Sequence, residues 1–188
     1  MKIKNIKSLI HLFFEINDQY TDSENVDNLS RLKKFLLILK KIEKKFNKTI
    51  IISTHPRTKK QILKTKFKGN KKIKFLKPFG YFEYMKLQKS SIAVISDSGS
   101  ISEEAAYLSL NAISLRDTQE RQEAMSEATI IMSSLEDKDF INNLQLCIKG
   151  KKNNTVILDY KKKFIAEKIS RIINSYIPYV NREVWKKY

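Results

Sequence analysis

IAVISDSGSISEEAAYLSL, residues 92–110, changes character twice along its length. Residues 92–96 are an apolar run of strand length, Asp97-Ser98-Gly99-Ser100 is a turn of small residues, and residues 101–110 read as a helix. Strand, small-residue turn and helix in that order is a unit from which parallel sheets are assembled. The turn also has chemical meaning. Small side chains let a ligand approach the backbone, and the first N–H groups of the helix, with its dipole, favour an anion there. Ser98 and Ser100 add hydroxyl donors. The segment lacks the Gly-Lys-Ser/Thr of a Walker loop and is not GxGxxG. On pattern alone it reads equally as a phosphate site and as a serine-capped helix with no ligand.

Upstream, Leu29, Leu32, Phe35, Leu36, Leu39, Ile42 and Phe46 recur at helical spacing with lysines between them. Residues 49–53 and 73–76 predict strands, 58–66 a short helix, and 81–88 a helix after the Pro78-Phe79-Gly80 break. Downstream, 112–115 and 129–132 predict strands, 138–148 and 161–173 helices, and 116–123 a charged loop. Residues 9–16 suit either a strand or a helix end, and the polar stretch 17–28 reads as a loop. Alternation of strands and helices predicts an α/β fold with a parallel sheet covered on both faces, its ligands at the carboxyl ends of the strands. The expected organisation is an unassigned segment 1–24, a single three-layer Rossmann-like domain over 25–175, and a tail over 176–188. That tail carries Tyr176, Tyr179, Trp185 and Tyr188 and is apolar enough to pack on something.

A chain of 188 residues with 41% apolar content can bury one substantial core. No apolar run approaches the roughly 20 residues that span a bilayer. The lysines and apolar residues near the N-terminus are not followed by a small-residue cleavage site, so no signal peptide is expected. Cys147 is the sole cysteine, which excludes a disulfide within the chain and a cysteine-built metal site, and suits a reducing cytoplasm. A net charge of +17 raises nucleic acid or an anionic membrane as partners. Yet only six of the 37 basic residues are arginines, and lysines spread over helix faces make a solvated surface. The expectation is therefore no nucleic-acid and no membrane partner, with a basic surface that helps to attract a diphosphate.

Three further groups of residues bear on chemistry. Glu103 and Glu104 are neighbours one turn into the helix, so they point about 100° apart. One can face a ligand and the other solvent or an arginine, and both also suit the acid preference of a helix start. The loop with Arg116, Asp117, Glu120, Arg121 and Glu123 can present a bidentate fork to a diphosphate or form a surface ion-pair network. His55, before Pro56 and Arg57, follows a buried strand and fits either an acid–base or a structural role.

Four strings, STHPRTKK (53–60), PFGYFEYMKL (78–87), SDSGSISEEAAYL (96–108) and SLRDTQERQEA (114–124), stand in this order. Together they resemble the non-hydrolysing UDP-N-acetylglucosamine 2-epimerase family, with similarity from about Glu24 onward. The tail YVNREVWKKY, with ERQEAM, looks most like the branch that forms UDP-N-acetyl-L-fucosamine for surface polysaccharide such as capsule or lipopolysaccharide. The resemblance implies a fold of two Rossmann-like domains in the GT-B arrangement, this chain being the C-terminal half. It implies that Ser98, Gly99, Ser100 and Arg121 hold the UDP diphosphate and Glu104 the ribose. Tyr84, with the backbone near Phe79, would meet the uracil, and His55 and Arg57 would lie near the cleft or an effector site. No cofactor and no metal are implied.

Two departures qualify that picture. The family's His-Arg-Glu-Glu-Asn-Val signature stands here as Thr21-Asp22-Ser23-Glu24-Asn25-Val26, and the N-terminal domain with the acid–base carboxylates is not in this sequence. The family's reaction eliminates UDP and adds it back on the other sugar face, which needs a base and an acid for the C2 proton and donors for the departing UDP. This chain carries the second set and no evident catalytic residue of the first. The expected partners are thus a UDP-sugar and either an N-terminal-domain chain or another copy of itself. Half of a GT-B glycosyltransferase and a non-catalytic nucleotide-sugar-binding module are the alternatives.

Overall fold

The computed structural model describes residues 11–15, 26–116, 121–134, 139–150 and 157–187. Six parallel strands run in the order β3-β2-β1-β4-β5-β6: β1 His11–Glu15, β2 Thr49–Ser53, β3 Ile73–Leu76, β4 Ala93–Ser96, β5 Ala112–Ser114 and β6 Ile131–Met132. Every pairing between neighbours is parallel. This is the doubly wound Rossmann order, with its switch point between β1 and β4. The expectation of an α/β fold with a parallel sheet holds. Residues 9–16, ambiguous as sequence, contain β1, a central strand bonded to both β2 and β4, so the sheet begins inside the segment 1–24.

The helices are α1 Val26–Phe46, α2 Pro56–Lys64, α3 Tyr81–Ser90, α4 Ile101–Leu108, α5 Gln122–Ser126, α6 Phe140–Lys149 and α7 Ile165–Tyr179. The loop expected over 17–28 gives way to helix at Val26, because the apolar period of α1 reaches back that far; residues 16–25 lie outside the described residues. The charged loop expected over 116–123 ends in the short helix α5.

Burial explains the two-sided cover. On α1, Leu32, Phe35, Leu36, Leu39 and Ile42 form one buried stripe. That stripe joins Ile62 of α2, Phe140, Leu144 and Cys147 of α6, and Ile50, Ile52, Ile73, Ala93, Ile95 and Ile113 of the sheet in a single core. Ile51, Val94 and Ala112 are also buried, and by strand parity they point to the opposite face. Leu87 of α3 and Ile101 and Ala105 of α4 supply buried apolar groups there. β4 and β5 are buried at every position, as strands covered on both faces must be.

The chain divides into two compact units, Met1–Val156 and Ile157–Tyr188. The second holds a 3-10 turn at Leu158–Lys161, α7, and a π turn at Val180–Val184. The break thus falls ahead of α7, which shares a unit with the aromatic tail. Ile165, Ile169, Ile172, Ile173, Tyr176 and Ile177 of α7 are all exposed. No helix among the described residues is long and apolar enough to cross a membrane.

Candidate functional site

Register aligns the carboxyl ends of the strands. Leu76, Ser53, Glu15, Ser96, Ser114 and Met132 form one row across the sheet. The four sequence strings leave or follow that row. His55 comes two residues after β2, Phe79 three after β3, the turn 97–100 directly after β4, and Arg116 and Arg121 after β5. Parallel topology therefore gathers segments separated by tens of residues onto one edge.

The turn after β4 is held from below. Ser96 and Asp97 are buried. Ser98 N–H donates to Ser96 Oγ at 3.0 Å, and the Arg116 Nε–H donates to the Asp97 carbonyl at 2.9 Å. Ser100 precedes α4 without making a side-chain cap. Its hydroxyl lies 3.0 Å from Ser98 Oγ and donates to Glu104 Oε1 at 2.7 Å. A serine whose only role was to cap the helix would bond to free backbone N–H groups. Here Ser98 Oγ accepts only a long bond from the Ser100 N–H, at 3.4 Å, and the Ser100 hydroxyl turns to Glu104.

Gly99 lies under two guanidinium groups. A Cβ on it would stand 3.0 Å from Arg121 Nη1 and 3.5 Å from Arg116 Nη2. Arg121 is held by an ion pair with Glu103 Oε1, each side chain one-third exposed. The other Glu103 oxygen is buried without a hydrogen-bond partner. The two adjacent carboxylates do diverge: Glu103 turns to the arginine, and Glu104 turns to α3. Glu104 Oε2 accepts from Tyr84 Oη–H at 3.1 Å and from the Gln88 amide.

Tyr84, Ser98, Gly99, Ser100, Glu104 and Arg121 therefore share one continuous patch. Phe79 lies half-buried just before α3, on the same edge. His55 is exposed at the end of β2, two strands from β4, which is about 10 Å by strand spacing. Arg57 sits in the first turn of α2, and only its backbone is described. Asp117, Glu120 and the Thr21-Asp22 departure lie outside the described residues. Two members of the patch were not singled out by sequence: Gln88, read only as a helix end, and the Asp97 carbonyl as anchor for Arg116. A spacing of four residues between Tyr84 and Gln88 was the available signal.

A shallow cavity of about 110 Å³ lies elsewhere, lined by Leu110, Ala112, Thr129, Ile130, Cys147 and their neighbours. It opens near the amino ends of β5 and β6, opposite the turn, so it is not part of this patch. Burial pushes the Cys147 thiol there up to about 12.

With this geometry stand the comparisons. Residues 22–177 match the family model described as UDP-N-acetylglucosamine 2-epimerase. A protein of that name from Methanocaldococcus jannaschii is 35% identical over 165 residues, 81% of this chain and 45% of its own length. One from Methanococcus maripaludis is 33% identical over 135 residues, 70% of this chain and 37% of its own length. Among solved structures, the Rickettsia bellii UDP-N-acetylglucosamine 2-epimerase superposes with a TM-score of 0.73 at 34% identity, covering 95% of this chain and 47% of its own. The M. jannaschii enzyme in complex with UDP-GlcNAc and UDP gives 0.73 at 30% identity, covering 93% and 49%. The chain spans about half the length of the relatives it matches. On its sheet order, its carboxyl-edge patch and these matches, the chain belongs to the UDP-N-acetylglucosamine 2-epimerase family.

Proposed function

We propose that this chain is the UDP-binding half of a UDP-N-acetylhexosamine 2-epimerase and works with a second half that supplies the proton-transfer groups. The observation that carries the reading is the continuous patch from Tyr84 through Glu104 and Ser100 to Arg121. In this reading Ser98, Gly99, Ser100 and Arg121 take the diphosphate. Glu104 accepts the ribose hydroxyls, Tyr84 and the backbone near Phe79 meet the uracil, and His55 and Arg57 line the cleft.

The chemistry follows from charge. Elimination breaks the bond from sugar C1 to the UDP oxygen while a base removes the C2 proton, and negative charge builds on the departing diphosphate. Donors arranged before the reaction stabilise that charge at little reorganisation cost. Arg121 over the turn and the N-terminus of α4 are placed for that task. Returning UDP to C1 and a proton to the opposite face of C2 completes the inversion. The base and acid come from the partner half. A UDP-sugar substrate and the free, buried Cys147 both suit a cytoplasmic setting. The tail points to the fucosamine-forming branch within the family and to surface-polysaccharide precursors.

Calorimetric titration with UDP tests the core of the proposal. The chain should bind UDP, and Ser98→Ala combined with Arg121→Ala should weaken binding by about a hundredfold or more, since hydrogen bonds to charged groups contribute about 1.5–3 kcal/mol each. No heat of binding from the unsubstituted chain overturns it. The isolated chain should not interconvert UDP-N-acetylhexosamine epimers. Turnover by the chain alone would remove the requirement for a partner.

A further inference from the structure

We propose that Gln88, fully buried on α3 against Glu104, is a positioning residue that aims the Glu104 carboxylate at the ribose hydroxyls of a bound nucleotide and thereby sets selection for ribose. The inference rests on the reading of Glu104 as the ribose residue.

Gln88 is 0% exposed, beside the equally enclosed Leu87. A methionine or leucine would fill such a site without a polar atom to satisfy. The amide instead points its nitrogen at Glu104 Oε2, and its own Oε1 has no hydrogen-bond partner. Turning the amide over would set its oxygen against the carboxylate, so the donor must face Glu104. Tyr84 lies one helical turn earlier on the same face of α3 and donates to the same oxygen at 3.1 Å. One helix thus holds Oε2 from two directions.

Oε1 is held differently. Its donor is the exposed Ser100 hydroxyl, on the rim of the phosphate turn, at 2.7 Å. A diphosphate in the turn would draw that hydroxyl away and leave Oε1 open. Ribose hydroxyls are donors, so they complete the carboxylate where Ser100 leaves it. Because Gln88 and Tyr84 keep Oε2, the carboxylate cannot swing after the departing serine. Oε1 then stays aimed at the sugar. Selection for ribose accordingly depends on a residue that need not touch the nucleotide.

The test compares UDP with 2′,3′-dideoxy-UDP in calorimetric titrations of the chain, Gln88→Met and Glu104→Gln. In the unsubstituted chain, UDP should bind more tightly than the dideoxy analogue by about tenfold or more. Gln88→Met should lose most of that ratio by weakening UDP alone, the dideoxy analogue binding as before. A parallel loss for both ligands means Gln88 acts only through packing and overturns the inference. If Glu104→Gln keeps the full ratio, the ribose reading itself fails. If it abolishes the ratio while Gln88→Met keeps it, only the present inference fails. Should Gln88→Met not fold, the side-chain amide resonances of Gln88 in the unsubstituted chain decide. They should be protected from exchange and move on adding UDP but not on adding the dideoxy analogue. Rapid exchange, or an equal response to both, overturns the assignment.

Discussion

Gly99 shows how a single atom can separate binding from stability. It has no positive φ, so its backbone does not demand glycine. What a Cβ would meet are the far ends of Arg121 and Arg116, at 3.0 and 3.5 Å. Long guanidinium side chains can swing away at little cost to the fold, but in doing so they leave the turn. Gly99→Ala should therefore leave the thermal midpoint nearly unchanged while lowering UDP affinity about tenfold, the equivalent of 1.4 kcal/mol. Paired melting and titration curves check this. A large fall in the midpoint would place the cost in the backbone instead. Glu103 belongs to the same scale, since its ion pair keeps Arg121 over the turn.

At the scale of the element, α6 couples the core to pH through one thiol. Phe140, Leu144 and Cys147 are its buried face, and burial raises the Cys147 thiol from 9.0 to about 12. In the unfolded chain the thiol ionises near its ordinary value, while in the fold it stays neutral. Below pH 9 neither state is charged and the full stability is present. As pH rises from 9 toward 12, the unfolded state loses its proton first, so stability falls. Denaturant midpoints should drop between pH 9 and 11 for the native chain, and Cys147→Ala should flatten that part of the curve. An identical slope in both proteins would assign the alkaline loss to other groups. At neutral pH the same burial should keep Cys147 unreactive toward thiol reagents until the chain is unfolded.

For the whole molecule, the decisive features are a net charge of +17 and the bare apolar stripe of α7. Ile165, Ile169, Ile172, Ile173 and Tyr176 recur on one helical face, each about half exposed. Contiguous apolar surface of this kind marks an interaction site or an association hazard. Like charge opposes the approach of two copies, and salt screens that repulsion over about 8–10 Å at physiological strength. The chain should therefore self-associate in size-exclusion runs at high concentration, more so in 0.5 M salt, and Ile169→Lys with Ile173→Lys should restore a monomer. A clean monomer of the unsubstituted chain under all these conditions would refute the prediction.

The order of strands and helices was legible in the sequence because hydrophobic periodicity is a local property. β2 and β3 begin and end where the pattern of isoleucines and lysines places them. The four family-like strings were legible for the same reason. β1 was not, since its three apolar residues, 12–14, are too short a run to separate strand from helix; its bonds to both β2 and β4 settle the matter. The divergence of Glu103 and Glu104 followed from helix geometry, but their partners did not. Which carboxylate meets Arg121 and which meets Tyr84 and Gln88 depends on what α3 and the loop after β5 bring to the edge. Sequence by itself thus determined most of the elements and the candidate residues for an anion. The tertiary structure alone decided which of those residues meet, because parallel pairing sets residues far apart in the chain side by side at one end of the sheet.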